Sequence, residues 1–146
     1  MTGCFRGEGA DCEGFETKVR SVLALKTIAV VGMSPQEDRP SYRVAKYLIE
    51  HGYEVIPVRP GGGEILGRPV FASLTDIPYP VDIVDVFRKS EDCEAIAHDA
   101  VKIGAKVLWL QEDVISTAAE AIAERAGLVF QMNTCIKKMH AKYIGD

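Results

Sequence analysis

Short, almost unbroken apolar runs alternate along this chain with longer stretches in which apolar positions recur every three or four residues. Runs of the first kind read as strands buried on both faces of a sheet, and those of the second as amphipathic helices. The clearest run is Thr27-Ile28-Ala29-Val30-Val31, which ends abruptly at Gly32 and predicts a strand over about 27–32. A helix should begin at Pro40, a residue tolerated in a first helical turn. It carries a stripe of Val44, Ala45, Tyr47, Leu48 and Ile49 and closes at Gly52. A second strand is expected over 53–58, a glycine loop over 60–63, a short third strand near 69–72 and a single helical turn at 74–77. Residues 81–87 form a strong strand pattern in which Asp82 and Asp85 alternate with Ile83, Val84 and Val86. Then come a helix over 91–103 capped by Ser90 and closed by Gly104, a buried strand over 105–110 and an alanine-rich helix over 116–126. The last strand spans 128–132, and a final helix spans 134–143. Ahead of all these, Val19, Val22, Leu23 and Leu25 mark a short amphipathic helix over 16–25, and residues 1–13 read as a flexible tail.

Strands alternating with helices at intervals of roughly 20–30 residues are the pattern of βαβ units. The expected fold is therefore α/β: a three-layer, doubly wound, mostly parallel sheet in one domain over 14–146. In such a sheet ligands sit at the carboxyl ends of the strands, where strand order reverses. The loops 32–41, 58–63, 87–90, 111–115 and 132–135 all leave carboxyl ends and should meet at one cleft.

Composition narrows the partners. The 146 residues are 47% hydrophobic and 26% charged, with a net charge of -4. That balance suits a single folded domain and lacks the basic face that nucleic acid requires. No apolar stretch approaches the ~18–20 residues of a membrane span. Residues 1–14 are polar and glycine-rich, unlike a secretory signal, so the expected location is the cytoplasm. The four cysteines (Cys4, Cys12, Cys93, Cys135) have no CxxC spacing, and the three histidines (His51, His98, His140) form no i, i+4 pair. Free thiols are expected, and no metal site.

The candidate chemistry lies in the carboxyl-end loops. Gly32 allows a sharp turn after the first strand, and Ser34 with nearby backbone N–H groups at a helix start can hold a phosphate. Arg39 and Arg43 supply counter-charge, with Met33 and Ser41 in the same loop. The GxGxxG of a dinucleotide fingerprint is missing its later glycines. Arg59 ends the second strand, where an NAD site would carry an acid; an arginine there suits a phosphorylated ribose, as in NADP and coenzyme A. Phe87-Arg88-Lys89 leaves the strand over 81–87 with an aromatic wall and a cation. Cys135, at the start of the last helix, is a candidate nucleophile. Gln111, Glu112 and Asp113 reach the cleft mouth, but no acid–base pair can be assigned among them.

These motifs resemble a known family. Val30-Val31-Gly32-x-Ser34, Arg39-Pro40-Ser41, Tyr47-Leu48 and Gly52-Tyr53-x-Val55-x-Pro57-Val58 carry the likeness. So do Gly67-x-Pro69-Val70, Ser73-Leu74, Ile77-Pro78, Val81-Asp82-Ile83-Val84-Asp85-Val86-Phe87-Arg88, Lys106-Val107-Leu108-Trp109-Leu110-Gln111 and Cys135. The chain is similar, over about residues 15–143, to the small stand-alone CoA-binding proteins of the YccU-like group, whose fold is that of the CoA-binding domain of succinyl-CoA synthetase. The resemblance implies a Rossmann-like domain with coenzyme A, or an acyl-CoA, at the carboxyl ends of the strands. It maps the first-loop residues onto Gly32, Ser34, Arg39 and Ser41, the turn after the second strand onto Arg59-Pro60, and the Phe-Arg pair onto Phe87-Arg88. Two positions depart from the family pattern. Arg59-Pro60-Gly61 stands where Asn-Pro-Lys is frequent, and Glu112-Asp113 stands where Leu-Gly or Ser-Gly is frequent.

The expected cofactor-binding set is Gly32, Met33, Ser34, Arg39, Ser41, Arg43, Arg59, Pro60, Phe87, Arg88 and Gln111. The synthetases work through a phosphorylated histidine and a nucleotide-grasp domain, and neither is evident here, so the resemblance supports binding rather than catalysis. Two alternatives stand beside it: an NADP-binding oxidoreductase, and a redox or acyl-transfer protein using the Cys135 thiol. Oligomeric state and protein partner stay open, with the last helix and the N-terminal segment as the surfaces through which a homodimer could form.

Overall fold

A computed structural model describes the backbone of residues 9–145 and the side chains of residues 14–145. In chain order the elements are α1 (Gly9–Leu23), β1 (Thr27–Val31), α2 (Pro40–Glu50), β2 (Glu54–Val58), β3 (Glu64–Ile65), β4 (Arg68–Pro69) and β5 (Ile83–Val86). They continue with α3 (Cys93–Lys102), β6 (Val107–Leu110), α4 (Thr117–Arg125), β7 (Val129–Gln131) and α5 (Ile136–Tyr143). Five strands form one parallel sheet in the order β2-β1-β5-β6-β7.

Each strand alternates between two apolar layers because both faces of the sheet are covered. On one face Ala29, Val31, Val84, Val86, Leu108 and Leu110 pack against α3 and α4 through Ala97, Ala100, Ala119 and Ala123. Small side chains on those helices let them approach the sheet and each other. On the other face Ile28, Val30, Ile83, Val107 and Trp109 pack against α1, α2 and α5 through Val19, Val22, Val44, Leu48 and Ile136. A 2.9 Å hydrogen bond between the Tyr47 hydroxyl and His140 Nδ1 ties α2 to α5. The three-layer, doubly wound α/β fold is the one expected.

Local departures have physical causes. The helix expected from 16 begins at Gly9, since a helix with a packed stripe extends at little cost once nucleated. Residues 1–8 of the expected flexible tail lie outside the described residues. The strand expected near 69–72 is instead the second arm of a small antiparallel hairpin, β3-β4. Leu66 (φ 54) and Gly67 (φ 75) both take the left-handed backbone that a two-residue hairpin turn demands. Phe71 then makes an isolated parallel bridge to Val58 at the sheet edge.

Strand order reverses between β1 and β5. The chain leaves β1 for one face and β5 for the other, so a crevice opens between their carboxyl ends. Gly32 sits at that point with φ +84. A Cβ there would lie 2.6 Å from the Phe87 carbonyl oxygen and 2.8 Å from Arg88 Cδ. Gly62 also has a positive φ (+66) but nothing within 4 Å of its would-be Cβ. Gly32→Ala is therefore expected to destabilise the fold by about 2–4 kcal/mol, and Gly62→Ala by no more than about 1 kcal/mol. Urea unfolding checks this; equal losses would mean that backbone conformation, and not the contact with Phe87, makes Gly32 necessary.

Candidate functional site

The loop after β1 closes on itself through its serines. The Ser34 N–H donates to Ser41 Oγ at 2.9 Å, and Ser34 Oγ accepts the Gln36 N–H at 3.0 Å. Both hydroxyls thus act as acceptors within the loop, and their protons are available to an anion. Arg39 occupies the N-cap of α2 in extended backbone, with Pro40 directly after it and no acidic residue in the first turn. The positive end of the helix is consequently left open towards the crevice. Arg39 Nε donates to Gln36 Oε1 at 3.2 Å, which steadies the guanidinium over the same loop.

The other carboxyl ends contribute in turn. Arg59 follows β2; its N–H donates to the Phe71 carbonyl at 2.9 Å and its Nε to the Pro60 carbonyl at 3.3 Å. Phe87, Arg88 and Lys89 follow β5. Arg88 pairs with Asp92 at 3.0 Å, but both side chains are more than one-third exposed, so the pair is weak and the guanidinium can be recruited by a ligand. Gln111, Glu112 and Asp113 follow β6. The Glu112 carboxylate is paired with Lys138 at 3.0 Å, and the Asp113 N–H donates to Asn133 Oδ1 at 2.8 Å. Trp109, fully buried, donates its indole N–H to the Thr134 carbonyl at 2.8 Å and fixes the turn that presents Cys135 at the N-cap of α5.

These loops enclose one cleft of about 770 Å³ at the strand-order reversal. Of the expected set, Gly32, Ser34, Arg39, Ser41, Arg59, Phe87, Arg88 and Gln111 line it, together with Gln36, Pro40, Val44, Lys89, Glu112, Asp113, Val114 and Cys135. Met33, Arg43 and Pro60 are not brought to the cleft wall. Met33, only 1% exposed, turns into the core beneath α1 and α2, because the residue after the Gly32 turn points back at the sheet. Arg43, one helical turn into α2, donates instead to the Asp38 carbonyl. Pro60 gives its carbonyl to Arg59.

Charge is unevenly distributed in the cleft. Arg39, Arg59, Arg88 and Lys89 come from the loops after β1, β2 and β5, while Glu112 and Asp113 come from the loop after β6. A chain of net charge -4 has thus placed four of its 17 lysines and arginines towards one end of this cleft. An elongated ligand, anionic at one end and neutral at the other, matches that polarity.

Beneath the cleft lies a further residue absent from the expected set. Asp85 is fully buried near the carboxyl end of β5, and its Oδ1 accepts a 2.6 Å hydrogen bond from Gln111 Nε2. Its Oδ2 has no hydrogen-bond partner among the described residues. Burial pushes the carboxyl up to about 8, and the Gln111 hydrogen bond offsets only part of that rise. Asp82, three residues earlier, is a contrast. Burial acts on it in the same direction, but the N–H groups of Lys26 and Thr27 and the Lys106 side chain hold its carboxyl below the ordinary value. The signal for Asp85 was an acid inside an aliphatic strand, and both faces of that strand are covered here.

Residues 26–141 match the family described as the CoA binding domain. A Bacillus subtilis protein named uncharacterized protein YneT is 40% identical over 116 residues, which span 80% of this chain and 86% of that one. The alpha subunit of Pyrococcus furiosus acetate–CoA ligase (ADP-forming) I is 34% identical over 89 residues; these are 57% of this chain but only 19% of that subunit. Among solved structures, a hypothetical protein from Pyrococcus horikoshii OT3 superposes with a TM-score of 0.86 at 39% identity, covering 89% of this chain and 92% of that one.

The raised Asp85 value has a consequence for stability. The folded chain keeps this proton to about pH 8, whereas an unfolded aspartate gives it up near pH ~3.9. Stability should therefore fall as pH rises through that window, by at most about 1.4 kcal/mol per unit. Asp85→Asn removes the titrating group, so its unfolding free energy relative to the wild type should climb up to about pH 8 and then level off. Denaturant titrations at a series of pH values measure this; parallel curves would show that Asp85 titrates like an exposed carboxyl.

Proposed function

The chain belongs to the CoA binding domain family, and we propose on that premise that it binds coenzyme A, or an acyl-CoA, as a small module without catalysis of its own. The observation that carries the reading is the polarity of the cleft. Ser34, Ser41, Arg39, Arg59, Arg88 and the open N-terminus of α2 converge at one end, and Gln111, Val114 and Cys135, with the acids Glu112 and Asp113, line the remainder. Coenzyme A has matching parts: a diphosphate and a ribose 3′-phosphate at one end, and an uncharged pantetheine arm at the other. Glu112 and Asp113 then lie away from the phosphates, and Lys138 neutralises Glu112.

The diphosphate belongs at the serine loop and the start of α2, where the Ser34 and Ser41 hydroxyl protons, the helix dipole and Arg39 meet. Arg59 and Arg88 are left for the 3′-phosphate. Among the described residues, the cleft lining holds no histidine and no carboxylate hydrogen-bonded to a serine or cysteine. Asp85 is sealed beneath the cleft, so binding is proposed and not turnover.

Calorimetric titration with coenzyme A, acetyl-CoA, dephospho-coenzyme A and NADPH tests this reading. Coenzyme A should bind more tightly than NADPH, and the affinity should weaken with added salt. Arg59→Ala should weaken coenzyme A by about three- to tenfold yet leave dephospho-coenzyme A nearly unchanged, because only the former carries the phosphate that Arg59 would hold. No heat with millimolar coenzyme A alongside micromolar NADPH binding would reverse the assignment. An equal Arg59→Ala loss for both coenzymes would move the 3′-phosphate elsewhere.

A further inference from the structure

Asp85 and Gln111 form the most deeply buried polar pair at the cleft. They are 0% and 4% exposed, 2.6 Å apart, and attached to adjacent strands, β5 and the end of β6. We propose that this pair reads the neutral arm of the ligand: Asp85 fixes the Gln111 amide with its nitrogen beneath the floor and its carbonyl oxygen towards the cleft, where it accepts an amide N–H of the pantetheine arm. The inference rests on the coenzyme A reading and assigns a role within it. Asp85 is a positioning residue; Gln111 makes the contact.

Three observations support the pairing. First, an unrestrained glutamine amide can present either its oxygen or its nitrogen, and the two choices recognise opposite partners. Asp85 breaks that symmetry here: its Oδ1 accepts from Nε2, while Oδ2, the oxygen left to carry the proton of the neutral carboxyl, has no partner among the described residues and does not bond to Gln111. Gln111 Oε1 then stays unpaired among the described residues, on a side chain that lines the cleft. Second, the loop that Gln111 opens disfavours an anion. Two acids, Glu112 and Asp113, follow it directly along the cleft wall. A neutral donor is what such a place can take. Third, the distance suits an extended arm. From the β2 end that carries Arg59 to the β6 end that carries Gln111 there are three strand spacings, about 14 Å at about 4.8 Å each. A ligand whose 3′-phosphate meets Arg59 and whose diphosphate lies on the loop after β1 must extend uncharged chain from there past β5 to reach Gln111.

A buried carboxyl is costly unless it is used, and leaving Oδ2 without a partner adds to the cost. An aliphatic residue at this place in β5 would complete the Ile83-Val84-x-Val86 run without that penalty. Retention of an acid there is accounted for if the orientation of Gln111 matters to binding.

The test compares coenzyme A with adenosine 3′,5′-bisphosphate, which has phosphates but no arm, by calorimetry. Gln111→Leu should weaken coenzyme A about tenfold and leave the bisphosphate within about twofold. Asp85→Leu should reproduce that pattern, and the double variant should be no weaker than Gln111→Leu alone, since both act through one contact. Asp85→Asn, whose Oδ1 still accepts from Nε2, should recover most of the loss. A purely structural role for Asp85 would lower both ligands together and would not be rescued in this selective way. The proposal is overturned if Asp85→Leu binds coenzyme A like the wild type, if the bisphosphate falls equally, or if the two losses add. A wild-type chain that binds neither ligand would instead overturn the coenzyme A reading and this proposal with it. Should Asp85→Leu fail to fold, the wild-type chain decides the matter by NMR. The Gln111 side-chain carbonyl carbon should shift on adding coenzyme A and not on adding the bisphosphate; equal shifts, or none, reject the assignment.

Discussion

The turn after β1 passes the Phe87 carbonyl at a distance that leaves no room for a Cβ, and the rest of the carboxyl edge is arranged around that approach. Because Gly32 can come so close, the loops after β1 and β5 start side by side before diverging to opposite faces of the sheet. Their divergence creates the crevice, and the N-terminus of α2 is aimed into it. A side chain at position 32 would force the two loops apart and displace Arg88, whose Cδ forms part of the same contact. Backbone geometry at one residue thus links the stability of the sheet to the shape of the site.

The cleft is a study in charge separation within an acidic molecule. Four cations are drawn from three loops that are distant in sequence, while the acids from the β6 loop lie towards the other end and one of them is held by Lys138. The Glu112-Asp113 pair, which departs from the family pattern, lies on the loop after β6, apart from the loops after β1 and β2 that carry Arg39 and Arg59. The serine loop uses hydroxyls as internal acceptors, so its shape is set before any ligand arrives.

Asp85 is sealed in the layer between β5 and the helices, and its Oδ1 accepts a hydrogen bond from Gln111, whose side chain reaches the cleft. Its burial opposes ionisation, so the same feature that orients Gln111 makes the fold sensitive to pH. Trp109 plays a comparable part for the turn before α5, through its indole bond to Thr134.

Much of this was legible in the chain alone. The strand–turn–helix at 27–41, the alternation of strands and helices, and the convergence of carboxyl-end loops follow from local periodicity and from glycine and proline positions, which act over a few residues. The recurring motifs from Val30 to Cys135 were enough to indicate the family. Contacts distant in sequence were beyond that reach. Periodicity could not tell that 69–72 would turn back as a hairpin, since that depends on left-handed backbone at Leu66 and Gly67. Nor could it tell that Met33 would face the core, that Arg43 would bond to Asp38, or that Asp85 would be buried beneath Gln111. Which strands lie at the centre of the sheet, which end of the cleft gathers the cations, and which carboxyl loses its water are properties of how the layers stack. Hydrophobic patterning determines the elements because it acts along the chain; only the tertiary structure decides burial and charge proximity, because both depend on what packs across it.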